Sequence, residues 1–353
     1  MPRRQTSKPA ISVKPIRSVA QLEDMLTEPS PRLIESMSKL EGDIMLVGAG
    51  GKMGLTLAVL AMRAIAASMV DRKVYVVSVF EGKRARKQLE SEGVTVVEKD
   101  LFEPAAVASL PDAPNVVYMV GRKFGSSGAA HLTWATNVYL PGVVGERYQD
   151  SRIVAFSTGA VYPHVPVLRG GSTEATPLEP VGEYAMSCIG RERMFDYYAE
   201  ERGTKVLHFR LNYSVEMRYG VLVDVAQNVW NGRPVDLKMG HLNCVWQGYA
   251  NSVALQCFHL ASSPSRALNV TGPELVSVRW AAERFGALMG KAPVLVNEES
   301  ELSLLSNAAQ CHRLFGYPDV SLDTLIEWIA YWIMTDGATL GKPTHYEVRD
   351  GKY

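Results

Sequence analysis

The sequence predicts an α/β protein, a doubly wound parallel sheet followed by a smaller C-terminal substrate lobe. Two observations carry that expectation. In the stretch Ile44 to Gly54, IMLVGAGGKMG, four apolar residues run into Gly48, Gly50, Gly51 and Gly54, and an Ala/Leu-rich helical pattern follows at once. From there to about Asn212, strand and helix patterns alternate, and strands such as VYVVSV and NVVYMV are apolar throughout. Unbroken apolar runs are expected when helices cover both faces of a parallel sheet, and such a sheet holds its ligand at the carboxyl edge.

The glycine stretch reads as a buried strand, a tight turn and a helix N-terminus. Such an end offers unpaired N–H groups and a partial positive charge to an anion. Gly48, Gly51 and Gly54 give the spacing G-x-x-G-x-x-G, a Rossmann-type dinucleotide fingerprint when it lies between strand and helix. Gly48, Gly50, Gly51, Lys52, Met53 and Gly54 are therefore the candidates to hold a pyrophosphate. The second strand ends near Glu81, the nearest carboxylate for an adenosine ribose, one residue beyond the expected slot. Lys83, Arg84 and Arg86 follow and suit a 2′-phosphate, so NAD is the expected cofactor and NADP the alternative. Asp100 and Leu101 close the third strand on the adenine side. Val120 and Gly121 close the fourth, where the nicotinamide would lie.

At 353 residues the chain can bury a large core. Lysine plus arginine equals aspartate plus glutamate, 37 each, so no global field calls for nucleic acid or an anionic membrane. No apolar run approaches a membrane span. Cys188, Cys244, Cys257 and Cys311 are scattered without a C-x-x-C pair, which reads as a reduced, metal-free, cytoplasmic protein. Met1 to Ser18 is basic, but Pro2, Pro9 and Pro15 would break a targeting helix, so a surface arm is expected. Ser18 can cap a short helix and Pro31 can open another. Strands are expected at 44–48, 74–79, 94–98, 115–120, 152–157 and 205–210, with helices near 52–68, 83–92, 104–109, 131–148 and 183–202. Beyond Asn212 the rhythm turns irregular: helices near 221–231, 248–260, 277–289 and 321–335, and a short strand near 235–237. The division is then 1–42 arm and short helices, 43–212 dinucleotide domain, 213–340 substrate lobe and 341–353 polar tail, the tail lying on the surface or on another subunit. A homodimer is expected.

Residues 153–192 carry the most specific signal. IVAFSTGAVYP puts Ser157 and Thr158 at the end of the fifth strand, and GEYAMSCIGRE opens the next helix with Tyr184. This resembles the extended (atypical) short-chain dehydrogenase/reductase family, the NAD-dependent sugar epimerases and dehydratases. Its pattern is roughly S-S/T-x-x-V-Y-G, then Y-x-x-x-K with glutamate four residues on. Ser157, Thr158, Val161, Tyr162, Tyr184 and Glu192 fall in register, and Asn137, Arg210 and Asn212 match further positions. The resemblance spans about residues 44–335. It implies that Tyr184 exchanges a proton with a substrate oxygen that Thr158 orients, with Ser157 beside it as a further catalytic candidate.

The lysine slot, however, holds Cys188. In the family that lysine lowers the tyrosine pKa and binds the nicotinamide ribose. A free phenol is only ~0.1% ionised at neutral pH, a deficit of about 4 kcal/mol. A neutral thiol supplies no cation, so Cys188 reads as a buried small residue. Lys123, in the loop MVGRKFGSSG after the fourth strand, is a candidate replacement, and His164 is a candidate acid or base. His241 stands near the slot where nucleotide-sugar enzymes carry an arginine for the diphosphate, and VWQGYA lacks the paired acids of relatives. Asn212, His241 and Arg218 are the substrate candidates, with Arg233 also on the smaller lobe. The expected function is an NAD(P)-dependent oxidoreductase, epimerase or dehydratase acting on a sugar or sugar acid that is not nucleotide-linked. The alternative is a catalytically idle dinucleotide-binding sensor or scaffold: loss of the lysine fits it, retention of Thr158 and Tyr184 in register does not.

Overall fold

The computed structural model describes residues 11–80, 82–123, 125 and 128–352. Glu81 lies outside them. Seven parallel strands form the central sheet: β1 (Ile44–Val47), β2 (Val74–Ser78), β3 (Thr95–Glu98), β4 (Asn115–Tyr118), β5 (Arg152–Thr158), β6 (Lys205–Leu211) and β7 (Arg266–Val270), in the order β7-β6-β5-β4-β1-β2-β3. Chain direction across the sheet reverses between β1 and β4, which opens a crevice at their carboxyl ends. The alternate residues of β1 explain its apolar run: Ile44 and Leu46 enter one core, Met45 and Val47 the other, and all four are fully buried.

The helices are α1 (Val19–Leu26), α2 (Pro31–Lys39), α3 (Gly54–Ala67), α4 (Lys83–Ser91), α5 (Pro104–Ala108), α6 (130–147), α7 (Gly182–Arg202), α8 (Val221–Trp230), α9 (Gln247–Gln256), α10 (Val278–Met289), α11 (Ala309–Phe315) and α12 (Leu322–Met334). Ser18 and Ser30 cap α1 and α2 by accepting the Gln21 and Leu33 N–H groups. Within α6, Ala135–Tyr139 is wound as a π-helix, and the Leu140 N–H reaches the Ala135 carbonyl. Pro141 has no N–H to return to the Asn137 carbonyl, and the wider turn sits where that bond would fall.

Three parts differ from the sequence expectation. Strand β7 comes from the irregular C-terminal half and pairs along Leu207–Leu211 of β6, so the smaller lobe is threaded back into the sheet. Its five residues, RALNV, are too short and too mixed to stand out beside the longer runs. Residues 11–18 are not a loose arm: Glu327 accepts the Ser12 and Val13 N–H groups, Trp328 donates to the Lys14 carbonyl, and Ile16 is fully buried. The polar tail neither floats nor waits for another subunit. It runs across its own molecule, from Leu340, which donates to the Arg218 carbonyl, to Gly351, packed against Val181 and Gly182 at the start of α7.

The glycines of the turn do different work. Gly48 has φ +83°, and a Cβ there would lie 2.5 Å from Val120 Cγ2, so β1 and β4 close together only over hydrogen. At Gly54 a Cβ would lie 2.3 Å from the Ala49 carbonyl oxygen. A Cβ at Gly51 would meet nothing within 4 Å. Gly54→Ala is therefore expected to cost about 1–3 kcal/mol as the helix shifts off the strand. Gly51→Ala should leave stability unchanged, and paired thermal melts check the contrast.

Candidate active site

Helix α7 is the element from which the site is built. Tyr184, Cys188, Arg191 and Glu192 follow one another at intervals of four, three and one residues, so they occupy one flank of the helix over two turns. At its base, Glu192 forms a buried ion pair with Arg210 of β6, at 2.6 Å and 3.0 Å. Ser157 donates to the same carboxylate at 2.5 Å. Arg210 also donates to the Tyr162 hydroxyl, which in turn donates to Asn269 of β7. Burial alone would push the Glu192 carboxyl up, but His208, Arg210 and Ser157 hold it below the usual range.

Two turns away, the Tyr184 hydroxyl meets Thr158 at the end of β5 and Cys188 on its own helix. Thr158 is extended there, and its hydroxyl also accepts the Ala160 N–H. The Ser–Thr pair thus divides its work: Thr158 faces Tyr184, whereas Ser157 faces away to Glu192. That moves Ser157, a catalytic candidate by sequence, into the frame beneath the site. Burial, then Cys188, drives the Tyr184 pKa well above the usual phenol range, and Arg191 and the Thr158 hydrogen bond draw it back. Tyr184 is a neutral phenol here.

Arg191 is the residue that sequence reasoning missed. Its guanidinium donates to the Phe156 carbonyl at 2.7 Å and to Asn137 Oδ1 at 2.9 Å. A Cβ on Gly121 would lie 2.7 Å from Arg191 Nη2, so a glycine at the end of β4 is what lets this cation in. Its spacing, two helical turns after Tyr184 and on the Cys188 side, was the available signal. Asn137 is fully buried and clamps the loop after β4: it accepts the Arg122 N–H and donates to the Arg122 carbonyl and to Ser187. It sets the backbone beside Lys123 rather than facing a ligand.

These groups surround a cavity of about 330 Å³, lined by Lys52, Met53, Gly121, Lys123, Ser157, Thr158, Tyr184, Arg191, Asn212 and Tyr213 among others. Tyr213 is held at φ +45°, an unusual left-handed conformation for a bulky side chain. The far wall comes from Tyr219 of the lobe and Thr344 of the tail. Lys123 does enter: its ammonium donates to the Thr344 carbonyl at 3.0 Å and lies 5.9 Å from the centre of the Tyr184 ring. Burial lowers its pKa to about 8.

Other candidates stand elsewhere. Arg218 is engaged with Glu216 and with Glu23 of α1, both at 3.0 Å, so it ties the N-terminal helix to the lobe. His241 pairs in a short strand with Ser277, and neither it nor His164 lines the cavity. Burial and Arg349 lower the His164 pKa. Asn212 lines the cavity with its amide committed to Asn243. Asp100 is exposed and accepts the Phe102 N–H as a turn cap, and Leu101 beneath it is core. Cys188 is fully buried beside Val161 and Tyr162, as expected of a small apolar residue. Among the described residues no cluster of metal-ligating side chains occurs, and no helix is long and apolar enough to cross a membrane.

The glycine turn at the β1–β4 crevice and the Thr158–Tyr184 pair beside it define a Rossmann-type, dinucleotide-dependent enzyme. Residues 44–216 match the model of the NAD dependent epimerase/dehydratase family. That family is one of NAD-dependent, oxidoreductase-type enzymes. Solved structures repeat the fold. UDP-glucose 4-epimerase from Thermotoga maritima, with UDP-glucose, superposes with a TM-score of 0.68 at 16% identity, covering 83% of this chain and 99% of that one. The dTDP-glucose 4,6-dehydratase DesIV from Streptomyces venezuelae, with NAD and TYD bound, gives 0.69 at 17% identity, covering 83% and 97%. UDP-glucuronic acid 4-epimerase from Bacillus cereus, with NAD, gives 0.67 at 14%, covering 83% and 96%. At such identities the likeness is one of fold. No curated protein matches the chain.

Removing the base of the site should be costly. Glu192→Ala leaves Arg210 charged and unpaired in the core and is expected to destabilise the protein by about 3–5 kcal/mol, read as a lowered denaturant midpoint.

Proposed function

We propose that the protein uses NAD to exchange hydride with a carbon of a sugar or sugar acid that carries no nucleotide, with Tyr184 handling the proton. The single observation behind this reading is the Tyr184–Thr158 hydroxyl pair inside the cavity at the glycine turn. The cradle suits a dinucleotide: Gly51 leaves open space, and the N-terminus of α3 has no side-chain cap to compete for its N–H groups. Gly50, Gly51, Lys52 and Met53 would hold the pyrophosphate, and Val120 and Gly121 would border the nicotinamide. When bound, the nicotinamide supplies the hydride donor or acceptor.

The protein's own groups divide the remaining work. Thr158 holds the substrate oxygen, and Tyr184 gives or takes its proton. Arg191 and Lys123 bring the positive charge that Cys188 cannot, one locked against Asn137 and the Phe156 carbonyl, the other at the cavity wall. Asn137 keeps Lys123 in register.

The solved structures described above are of enzymes named for nucleotide sugars, so the case against such substrates here rests on the tail. Thr344 binds Asp224 of α8, Tyr346 donates to the Asp236 carbonyl, and Arg349 donates to the Lys238 and Leu302 carbonyls. This segment packs on the lobe and places Thr344 in the cavity wall. Arg218, the fork available for a diphosphate, is already paired. A homodimer belongs to the same reading: Trp134, Val138, Tyr139 and Met194 line an apolar groove between α6 and α7. A solution mass equal to the 38.8 kDa of one chain would remove that part.

Calorimetry with NAD tests the cofactor: Gly51→Val should stay folded and lose the binding. Near-ultraviolet absorbance of the reduced nicotinamide, read against free sugars and sugar acids, tests the activity. Tyr184→Phe should retain NAD and lose turnover by about 10²–10⁴-fold; normal turnover would assign the proton to another group. The pH profile carries a sign. Sugar oxidation needs ionised Tyr184, whose pKa is raised, so its rate should climb above neutrality. Arg191→Met removes a cation that favours phenolate and should move that climb to higher pH. An unmoved profile would leave Arg191 a structural role only.

A further inference from the structure

The backbone beside Lys123 and the tip of its side chain are held by different parts of the protein. Asn137 clamps the loop through the Arg122 N–H and carbonyl. The ammonium, at the far end of a flexible stem, donates to the Thr344 carbonyl at 3.0 Å. Thr344 is 2% exposed and is held in turn by Asp224 of α8. One oxygen of that carboxylate accepts both the Thr344 N–H, at 2.7 Å, and the Thr344 hydroxyl. Lobe, tail and sheet loop thus meet in a relay, Asp224 lying 120 positions before Thr344 and Lys123 lying 221 before it.

Asp224 has a plainer role open to it, as an acid in the first turn of α8, where the helix dipole favours negative charge. That role needs only a solvated carboxylate. This one is half-buried: burial raises its pKa, and the Thr344 hydroxyl and N–H draw it back. Lys123 has the opposite tendency. Fixing its tip costs rotamer freedom, and a loose stem would carry the charge out to water. The Thr344 carbonyl opposes that movement, and it stands where it does because Asp224 holds the same residue by both its donors. Asp224 and Glu347 are the carboxylates that act on the Lys123 ammonium, Cys188 is the thiol, and Lys52 is the like charge.

We infer that Asp224 and Thr344 are positioning residues of the active site, which hold the C-terminal segment so that its carbonyl keeps the Lys123 ammonium beside Tyr184. The tail is then a working part of the site, and the lobe is coupled to the Tyr184 end of the cavity through it. The inference rests on the role proposed above for Lys123 and adds two residues that act through that lysine.

Nuclear magnetic resonance of the full-length protein carrying isotope-labelled lysine reads the place of Lys123 directly, its signal being assigned with Lys123→Arg. In the wild type the ammonium should titrate at about 8, where burial places it. Asp224→Ala then separates two outcomes by sign. If the relay positions the lysine, its tip is released to water and its titration rises toward the ordinary lysine range. If Asp224 is only a negative charge nearby, its loss leaves the ammonium buried and lowers the titration further, which would overturn the inference. An unmoved titration would overturn it as well. Thr344→Ala should shift the signal in the same direction as Asp224→Ala, and Thr344→Ser, which keeps the hydroxyl, should restore it. Turnover with NAD, with galactose, glucose and galacturonate as probes, gives the functional readout. Asp224→Ala should lower kcat about tenfold with KM for NAD within about twofold, and should cost nothing further in a Lys123→Met protein. Losses that multiply in the double variant would show that Asp224 acts by another route. Failure of the wild-type protein to bind NAD would overturn the functional reading beneath, while the lysine titration still decides the relay.

Discussion

The buried pair of Glu192 and Arg210 is the interaction on which the site depends. It joins α7 to β6 in the interior, where neither charge can be left alone without a cost of several kcal/mol. Because one carboxylate also accepts Ser157, and the guanidinium also reaches Tyr162, three sheet strands and one helix are fixed in a single register. Two turns along that helix, the register delivers Tyr184 to Thr158. Motif residues that look catalytic in a string of letters, Ser157, Tyr162 and Glu192, serve here as the frame that aims the two hydroxyls.

A second consequence follows from the same helix. Where the family pattern places a lysine, the small thiol of Cys188 fills space, and the charge has moved three residues on to Arg191. A guanidinium is longer and makes several directed hydrogen bonds at once. It is therefore held by Asn137 and the Phe156 carbonyl, against a glycine that leaves room for it, rather than reaching freely into the pocket. Positive charge near the phenol is retained.

The tail changes the meaning of the lobe. By pairing with Asp224, Asp236 and Leu302 and ending against Gly182, it links the lobe to the start of α7 over the top of the cavity. The pocket is small because the chain's own last residues take part in enclosing it. They bring Thr344 to the same wall as Lys52 and Lys123.

What the sequence by itself determined was whatever local pattern and spacing encode. The apolar runs fix the parallel strands, because both faces are covered. The glycine turn fixes the β1–α3 junction, because no side chain fits at Gly48 or Gly54. The spacing from Ser157 to Glu192 places the hydroxyl pair. Only the tertiary structure decided the rest. Strand β7 is too short and mixed to declare itself. Arg191 and Ser157 acquire their partners from segments far away in sequence. Whether Arg218, His164 and His241 reach the cavity depends on how the lobe folds, and it turns one to a salt bridge and leaves the others outside. A polar tail has no periodicity to read; its place comes from hydrogen bonds to residues 47 to 120 positions earlier, and no local rule contains those.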